Sequence, residues 1–156
     1  MDDKEVRVAL DVANNYAKNH TGCMKVHVGC VLLDGEDKFL GFGANVSRPN
    51  CKAKGICHRV ELYGEASKDH RLPSDCNAIH SEIDALVRCS HPVTGGTAVV
   101  TRYPCEACAR ALVQAGIKKI YYGRQQEASE LTKQICSDGD VELIWVNDWV
   151  EKDVTY

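Results

Sequence analysis

The sequence predicts an α/β protein, a three-layer α/β/α sandwich built on a five-stranded mixed sheet. Three observations carry this reading. Apolar residues alternate between helical spacing and short strand-like runs, in the order α-β-β-α-β-α-β-α-β. Only a turn, Asp34-Gly35-Glu36-Asp37, separates the first two strands, which therefore pair as a hairpin. One helix separates each of the last three strands from the next. Such crossovers make parallel neighbours and put helices on the sheet faces.

Val6, Ala9, Leu10, Ala13, Tyr16 and Ala17 recur at helical spacing and predict a first amphipathic helix over 6–17. Val26 to Leu33 reads as a strand and Lys38 to Asn45 as its return. Residues 46–76 hold Pro49, Gly55, Gly64 and Pro73 with weak periodicity, and predict a loop. A loop of about 30 residues suits a compact domain only when it is functional or tied down. His80 to Cys89 is a helix with Ile83, Leu86 and Val87 on one face, and Gly95-Gly96 breaks the chain after it. Thr97 to Arg102 is a strand. Pro104 stands at a helix start, where its missing N–H costs nothing. That helix runs from Cys105 to Ala115 and stops at Gly116. Ile117 to Tyr122 is a strand, Glu127 to Cys136 a helix ending near Gly139, and Val141 to Val146 the last strand. The tail, Asn147 to Tyr156, is polar.

Length and composition bound the function. The chain has 156 residues, 44% hydrophobic and 26% charged, which fits one globular domain. It has no apolar run of about 18 residues, so no membrane span is expected. The charged start, Met1-Asp2-Asp3-Lys4-Glu5, leads into no apolar segment, which argues for a cytoplasmic protein. The net charge of −3 does not suit an extended nucleic-acid footprint.

The nine cysteines are an odd number, and nothing suggests secretion, so metal binding or chemistry is the better reading than disulfides. One constellation outranks the rest: His80-Ser81-Glu82 and, after one helix and one strand, Pro104-Cys105-Glu106-Ala107-Cys108. Both segments open a helix. Cys105 and Cys108 share a helix face, and their thiolates would sit where the helix dipole favours negative charge. One nitrogen and two sulfur ligands leave the fourth position of tetrahedral zinc open, as catalytic zinc requires. An open position on zinc acidifies water to near neutral pH. Glu82, two residues from the histidine, is placed to move protons.

His-x-Glu followed by Pro-Cys-x-x-Cys is the pattern of the zinc nucleobase deaminases. From Cys23 to Val146 the sequence resembles the cytidine/deoxycytidylate deaminase superfamily, most closely its deoxycytidylate branch. The residues that carry this are Val28-Gly29-Cys30-Val31-Leu32, Gly41-x-Gly43-x-Asn45, His80 to Leu86, and Pro104-Cys105 to Lys119. The chain departs from the family at Ser81 (usually Ala), at Asp84 (usually Asn), and at Gly43-Ala44-Asn45-Val46, where the family has Gly-Tyr-Asn-Gly. The resemblance implies a single zinc-dependent deaminase domain over 1–156 with the cytidine deaminase sheet. It implies catalytic zinc on His80, Cys105 and Cys108, and hydrolysis of dCMP to dUMP. Glu82 would take a proton from the attacking water, deliver one to N3, and carry one to the departing amino group. Asn45 matches the family asparagine that contacts sugar and base, and an ordinary turn asparagine is the other reading.

The resemblance also implies a second, structural zinc on Cys23, Cys51 and His70. It does not fix the fourth ligand, for which Cys76 is taken ahead of Cys57. Cys30, Cys89 and Cys136 read as small core residues, and His20, His27 and His91 as solvent or edge residues. Arg48, Arg102 and Arg124 flank the site segments, and each is either a phosphate contact or a surface arginine. A small nucleotide substrate, a homo-oligomer and no membrane are expected. The alternatives are a deaminase acting on another nucleoside or base, and a zinc-stabilised module without catalysis. The presence of Glu82 speaks against the module.

Overall fold

The computed structural model describes residues 1–48, 50–64, 76–125 and 128–152. Helix α1 (Asp3–His20) is longer than its apolar stripe because a capping box starts it early. The Asp2 carboxylate accepts the Glu5 N–H, and the Glu5 carboxylate accepts the Asp2 N–H, both at 2.8 Å. Strands β1 (Gly29–Leu33) and β2 (Phe39–Ala44) form the expected antiparallel hairpin. The predicted strand over 26–33 loses its first three residues for a physical reason. The Asn45 amide donates to the Val26 carbonyl at 3.1 Å, and its oxygen accepts the Val28 N–H at 2.9 Å. A side chain thus takes the place of a ladder there.

The expected loop over 46–76 contains two short helices, α2 (Cys51–Lys54) and α3 (His58–Tyr63). Asn50 caps the first through the Ala53 N–H at 3.1 Å, and Gly55, at φ +77°, closes it. Helix α4 (Ser81–Arg88) and strand β3 (Thr97–Arg102) follow. Next come α5 (Glu106–Gln114), β4 (Lys119–Arg124), α6 (Glu130–Asp138) and β5 (Glu142–Trp145). Ile117 belongs to the helix stop rather than the strand. Its N–H bonds the Leu112 carbonyl at 3.1 Å and its side chain is buried. Ser129 caps α6 through the Leu131 N–H at 3.2 Å, so the helix starts after the predicted Glu127, which lies outside the described residues.

The sheet order is β2-β1-β3-β4-β5. β1 is antiparallel to both neighbours, and β3, β4 and β5 are mutually parallel. The mixed five-stranded sheet of the sequence reading is therefore present. Alternation along the strands makes two cores. On one face Val31, Leu33 and Val99 pack with Val6, Leu10 and Ala13 of α1. On the other, Cys30, Leu32 and Val100 pack with Ala85 of α4, Leu112 of α5 and Cys136 of α6. Each large side chain fully buried in these layers contributes about 1.5–3 kcal/mol.

The tail is not a passive polar segment. Trp149 is 8% exposed, joins the α1 core, and donates its indole N–H to Asp11 at 3.0 Å. Gly123 makes room for it, since a Cβ there would lie 2.4 Å from the Trp149 ring.

Candidate metal and proton-transfer site

Two helix starts converge on the site. His80 is the N-cap of α4 and Cys105 the N-cap of α5. Close packing of α4 on β2 sets the first. A Cβ at Gly43 would fall 2.1 Å from the Ser81 carbonyl oxygen, so only glycine lets the helix approach this far. The Pro104 turn at the end of β3 sets the second, and the Tyr103 N–H anchors that turn on the Arg124 carbonyl at 2.7 Å. The site thus sits at the carboxyl end of a parallel strand, the usual ligand edge of an α/β sheet.

The His80 imidazole Nδ1 lies 3.4 Å from the Cys105 sulfur and 3.4 Å from the Cys108 sulfur. Among the described residues, this trio alone brings three potential ligand atoms within 4.8 Å of one another. Tetrahedral zinc with Zn–N of about 2.0–2.1 Å and Zn–S of about 2.3 Å places N and S about 3.6 Å apart. The donor set and its spacing fit zinc with one position left over.

The thiols are already poised. The Cys108 S–H, the His80 ring and the Cys108 backbone N–H outweigh burial and hold the Cys105 thiol down at about 4. That makes Cys105 a thiolate at neutral pH. The Cys108 thiol moves the other way, raised by its bond to Cys105, by burial and by the Glu82 charge. His80 is raised by its bond to Cys105, against desolvation.

Glu82 is 3% exposed on the first turn of α4, and the buried Ser81 hydroxyl donates to its Oε1 at 2.6 Å. His80, Ser81, Glu82 and Cys105 line one wall of a cavity of about 320 Å³. Asn45 reaches the same cavity, but most of its polar capacity is used. Besides its bonds to Val26 and Val28, it accepts the Thr21 hydroxyl at 2.9 Å.

Cys23, Cys51 and Cys76 also line the cavity, and His70 lies outside the described residues. Cys30 and Cys136 are buried core residues, as expected, and Cys89 is half-buried with its S–H directed at the His91 carbonyl, 3.1 Å away. Of the three candidate arginines, Arg102 lines the cavity, Arg48 is exposed, and Arg124 pairs with Glu151 at 2.9 Å. Sequence reasoning missed Lys25 and Arg59, which also line the cavity. No motif marks them, and only the three-dimensional path of α3 brings Arg59 there.

A carboxylate beside a histidine and two cysteines at paired helix starts defines the class of zinc-dependent nucleobase deaminases, and comparison with known proteins agrees. The cytidine and deoxycytidylate deaminase zinc-binding region matches residues 3–124, and the chain belongs to that family. It is 37% identical over 78 residues to the deoxycytidylate deaminase of Enterobacteria phage T2, covering 48% of this chain and 42% of that protein. The chain therefore spans less than half of that relative's length. It is also 37% identical over 113 residues to the deoxycytidylate deaminase of Mycobacterium phage D29, covering 70% of this chain and 87% of that one. Among solved structures, the dCMP deaminase of cyanophage S-TIM5 in complex with dCMP and dUMP superposes with a TM-score of 0.68. Identity there is 20%, over 93% of this chain and 98% of the other. That likeness shows the fold. Among the described residues, no helix is long and apolar enough to cross a membrane.

Proposed function

We propose that the protein is a zinc-dependent hydrolase that converts dCMP to dUMP and releases ammonia. The observation that carries this is Glu82, a buried carboxylate directed by Ser81 and set beside His80, Cys105 and Cys108 on a cavity wall. His80, Cys105 and Cys108 would hold zinc, which supplies an acidified water near neutral pH. Glu82 takes a proton from the water as its oxygen bonds to C4 of the base, and delivers a proton to N3. Glu82 then takes the second proton, from the hydroxyl now bonded to C4, and carries it to the C4 amino nitrogen; the C–N bond breaks, the C4 carbonyl forms, and ammonia leaves. Burial keeps bulk water from competing for these protons. Asn45 lines the pocket, and its second amide hydrogen is assigned to the substrate sugar or base.

A structural zinc on Cys23, Cys51, His70 and Cys76, with Cys57 the alternative to Cys76, is part of the same proposal. Two observations support it. The Cys23 sulfur accepts the Lys25 N–H at 3.4 Å, and the Cys76 sulfur accepts the Ala78 N–H at 3.5 Å, which orients both sulfurs. We also assign residues 1–156 to one domain that works in the cytoplasm as a homo-oligomer. Val87, 74% exposed on α4, and Trp145, 45% exposed on the edge strand, are apolar surface suited to a second copy.

Ammonia release measured with dCMP, CMP, deoxycytidine, dCTP, cytosine and guanine tests the activity. The highest kcat/KM is expected for dCMP. A higher value for deoxycytidine or guanine would replace this reading with a nucleoside or base deaminase.

A further inference from the structure

Val26 and Val28 line the pocket from the segment before β1. Asn45 grips that segment on either side of His27, through the Val26 carbonyl and the Val28 N–H. His27 itself has a different partner. Its ring Nε2 lies 2.7 Å from Glu151 Oε1, in the segment after β5. The other carboxylate oxygen, Oε2, lies 2.9 Å from the Arg124 guanidinium at the end of β4. Arg124 is fixed in turn, because its carbonyl accepts the Tyr103 N–H at 2.7 Å, two residues before Cys105. One carboxylate therefore bridges the segment that Asn45 holds and the strand end that anchors the turn leading to Cys105.

Glu151 is itself held from both sides. Before it, Asp148 pairs with Arg7, and Trp149 is buried with its indole N–H on Asp11. After it, the Lys152 carbonyl accepts the Lys18 ammonium at 2.8 Å and the Asn14 amide at 3.3 Å. A carboxylate placed this way loses little freedom when it bridges two partners. Its side chain is only 20% exposed. His27 Nε2 and Glu151 Oε1 are both buried, and among the described residues neither has another hydrogen-bond partner. Without the carboxylate, a buried ring nitrogen would stand alone, a cost that the segment can relieve only by moving.

We propose that Glu151 is a positioning residue for the substrate wall of the pocket: it braces His27 against Arg124 and so holds the Val26–Val28 backbone that orients Asn45. The proposal rests on the deamination reading only for the substrate, not for the bracing. His80, Glu82 and Cys105 stand at the starts of α4 and α5 and do not depend on this segment. Glu151 therefore serves binding rather than the chemical step.

Two readouts test it in the zinc-loaded protein: steady-state kinetics with dCMP, and amide hydrogen exchange of the peptide covering 24–30, read by mass spectrometry. Glu151→Ala should raise KM about 3- to 10-fold, the worth of one hydrogen-bonded contact, with kcat and zinc content unchanged. Exchange over 24–30 should quicken, since that peptide carries the Val28 and Gly29 N–H groups bonded to Asn45 and Thr101. Glu151→Gln, which keeps one accepting oxygen, should fall between. His27→Ala should match Glu151→Ala, and the double variant should be no worse than either, because both remove one interaction. Arg7→Ala, which frees the same segment at a point away from the pocket, should leave KM and exchange over 24–30 unchanged. Unchanged exchange in Glu151→Ala, a fall in kcat at constant KM, or an equal effect of Arg7→Ala overturns the proposal. Should the wild type not turn over dCMP, the deamination reading fails, while faster exchange in Glu151→Ala but not in Arg7→Ala still supports the brace.

Discussion

The Asp84 carboxylate accepts the Ala44 backbone N–H through Oδ2 at 3.0 Å. Its other oxygen takes the Arg88 guanidinium at 2.9 Å. Asp84 and Ala44 are two of the positions where the sequence departs from its family, and the structure makes them one contact. The bond ties α4, which carries His80 and Glu82, to the edge strand β2. Asp84 is 3% exposed, so Asp84→Ala strands a buried N–H. Such a loss costs about 1–3 kcal/mol, and urea unfolding should show it. Asp84→Asn keeps an acceptor for Ala44 and gives up only the ion pair to the exposed Arg88 guanidinium, which should cost about 1 kcal/mol. Equal losses in the two variants would mean that charge, not the hydrogen bond, matters at this position.

In the proposed mechanism Glu82 moves protons and is not a metal ligand. Glu82→Ala should therefore keep its fold and its zinc, measured by elemental analysis, and lose about 10²–10⁴-fold in kcat. A variant that turns over near the wild-type rate would remove Glu82 from the chemistry.

Ser81 donates to the carboxylate that does this work, at 2.6 Å. Ser81 is not among the three metal-ligand candidates and its hydroxyl bonds only Glu82 among the described residues, so Ser81→Ala should fold and bind zinc normally. The hydroxyl holds one rotamer of Glu82. Its loss is expected to lower kcat by about tenfold, a part of the worth of one hydrogen bond to a charged group, and to leave KM nearly unchanged. A rise in KM at constant kcat would instead make Ser81 a substrate contact. Ser81→Thr should restore part of the rate.

The order of elements and the metal trio were legible in the sequence because both depend on local pattern. Helix starts at His80 and Cys105 follow from Pro104 and from apolar spacing, and the parallel crossovers follow from one helix between strands. What was not legible depends on contacts far apart in the chain. The Asn45 side chain shortens β1 by bonding across the hairpin. Trp149 is buried because Gly123 leaves a space on the sheet, which the polar composition of the tail conceals. Arg102 is the last residue of strand β3 and was visible as a candidate. Lys25 and Arg59 reach the cavity from segments without periodicity, where sequence spacing says nothing about direction.

Removing zinc held by His80, Cys105 and Cys108 should expose a poised thiolate at Cys105. The folded pKa of Cys105 is depressed to about 4 by the Cys108 S–H ahead of the His80 ring. A depressed pKa contributes stability that is full above the unfolded value, near 9, and is lost as pH falls through the folded one. The metal-free protein should therefore keep a Cys105 thiolate at pH 6, where an ordinary thiol, with a pKa of about 8.5, is almost wholly protonated. Cys108 is raised and stays protonated until metal displaces its proton. Brief iodoacetamide treatment of chelator-stripped protein at pH 6, read by peptide mass mapping, should modify Cys105 ahead of the buried Cys30 and Cys136. Added zinc should protect Cys105. Uniform labelling of all nine cysteines, or a Cys105 that reacts only above about pH 8, would contradict a poised ligand set.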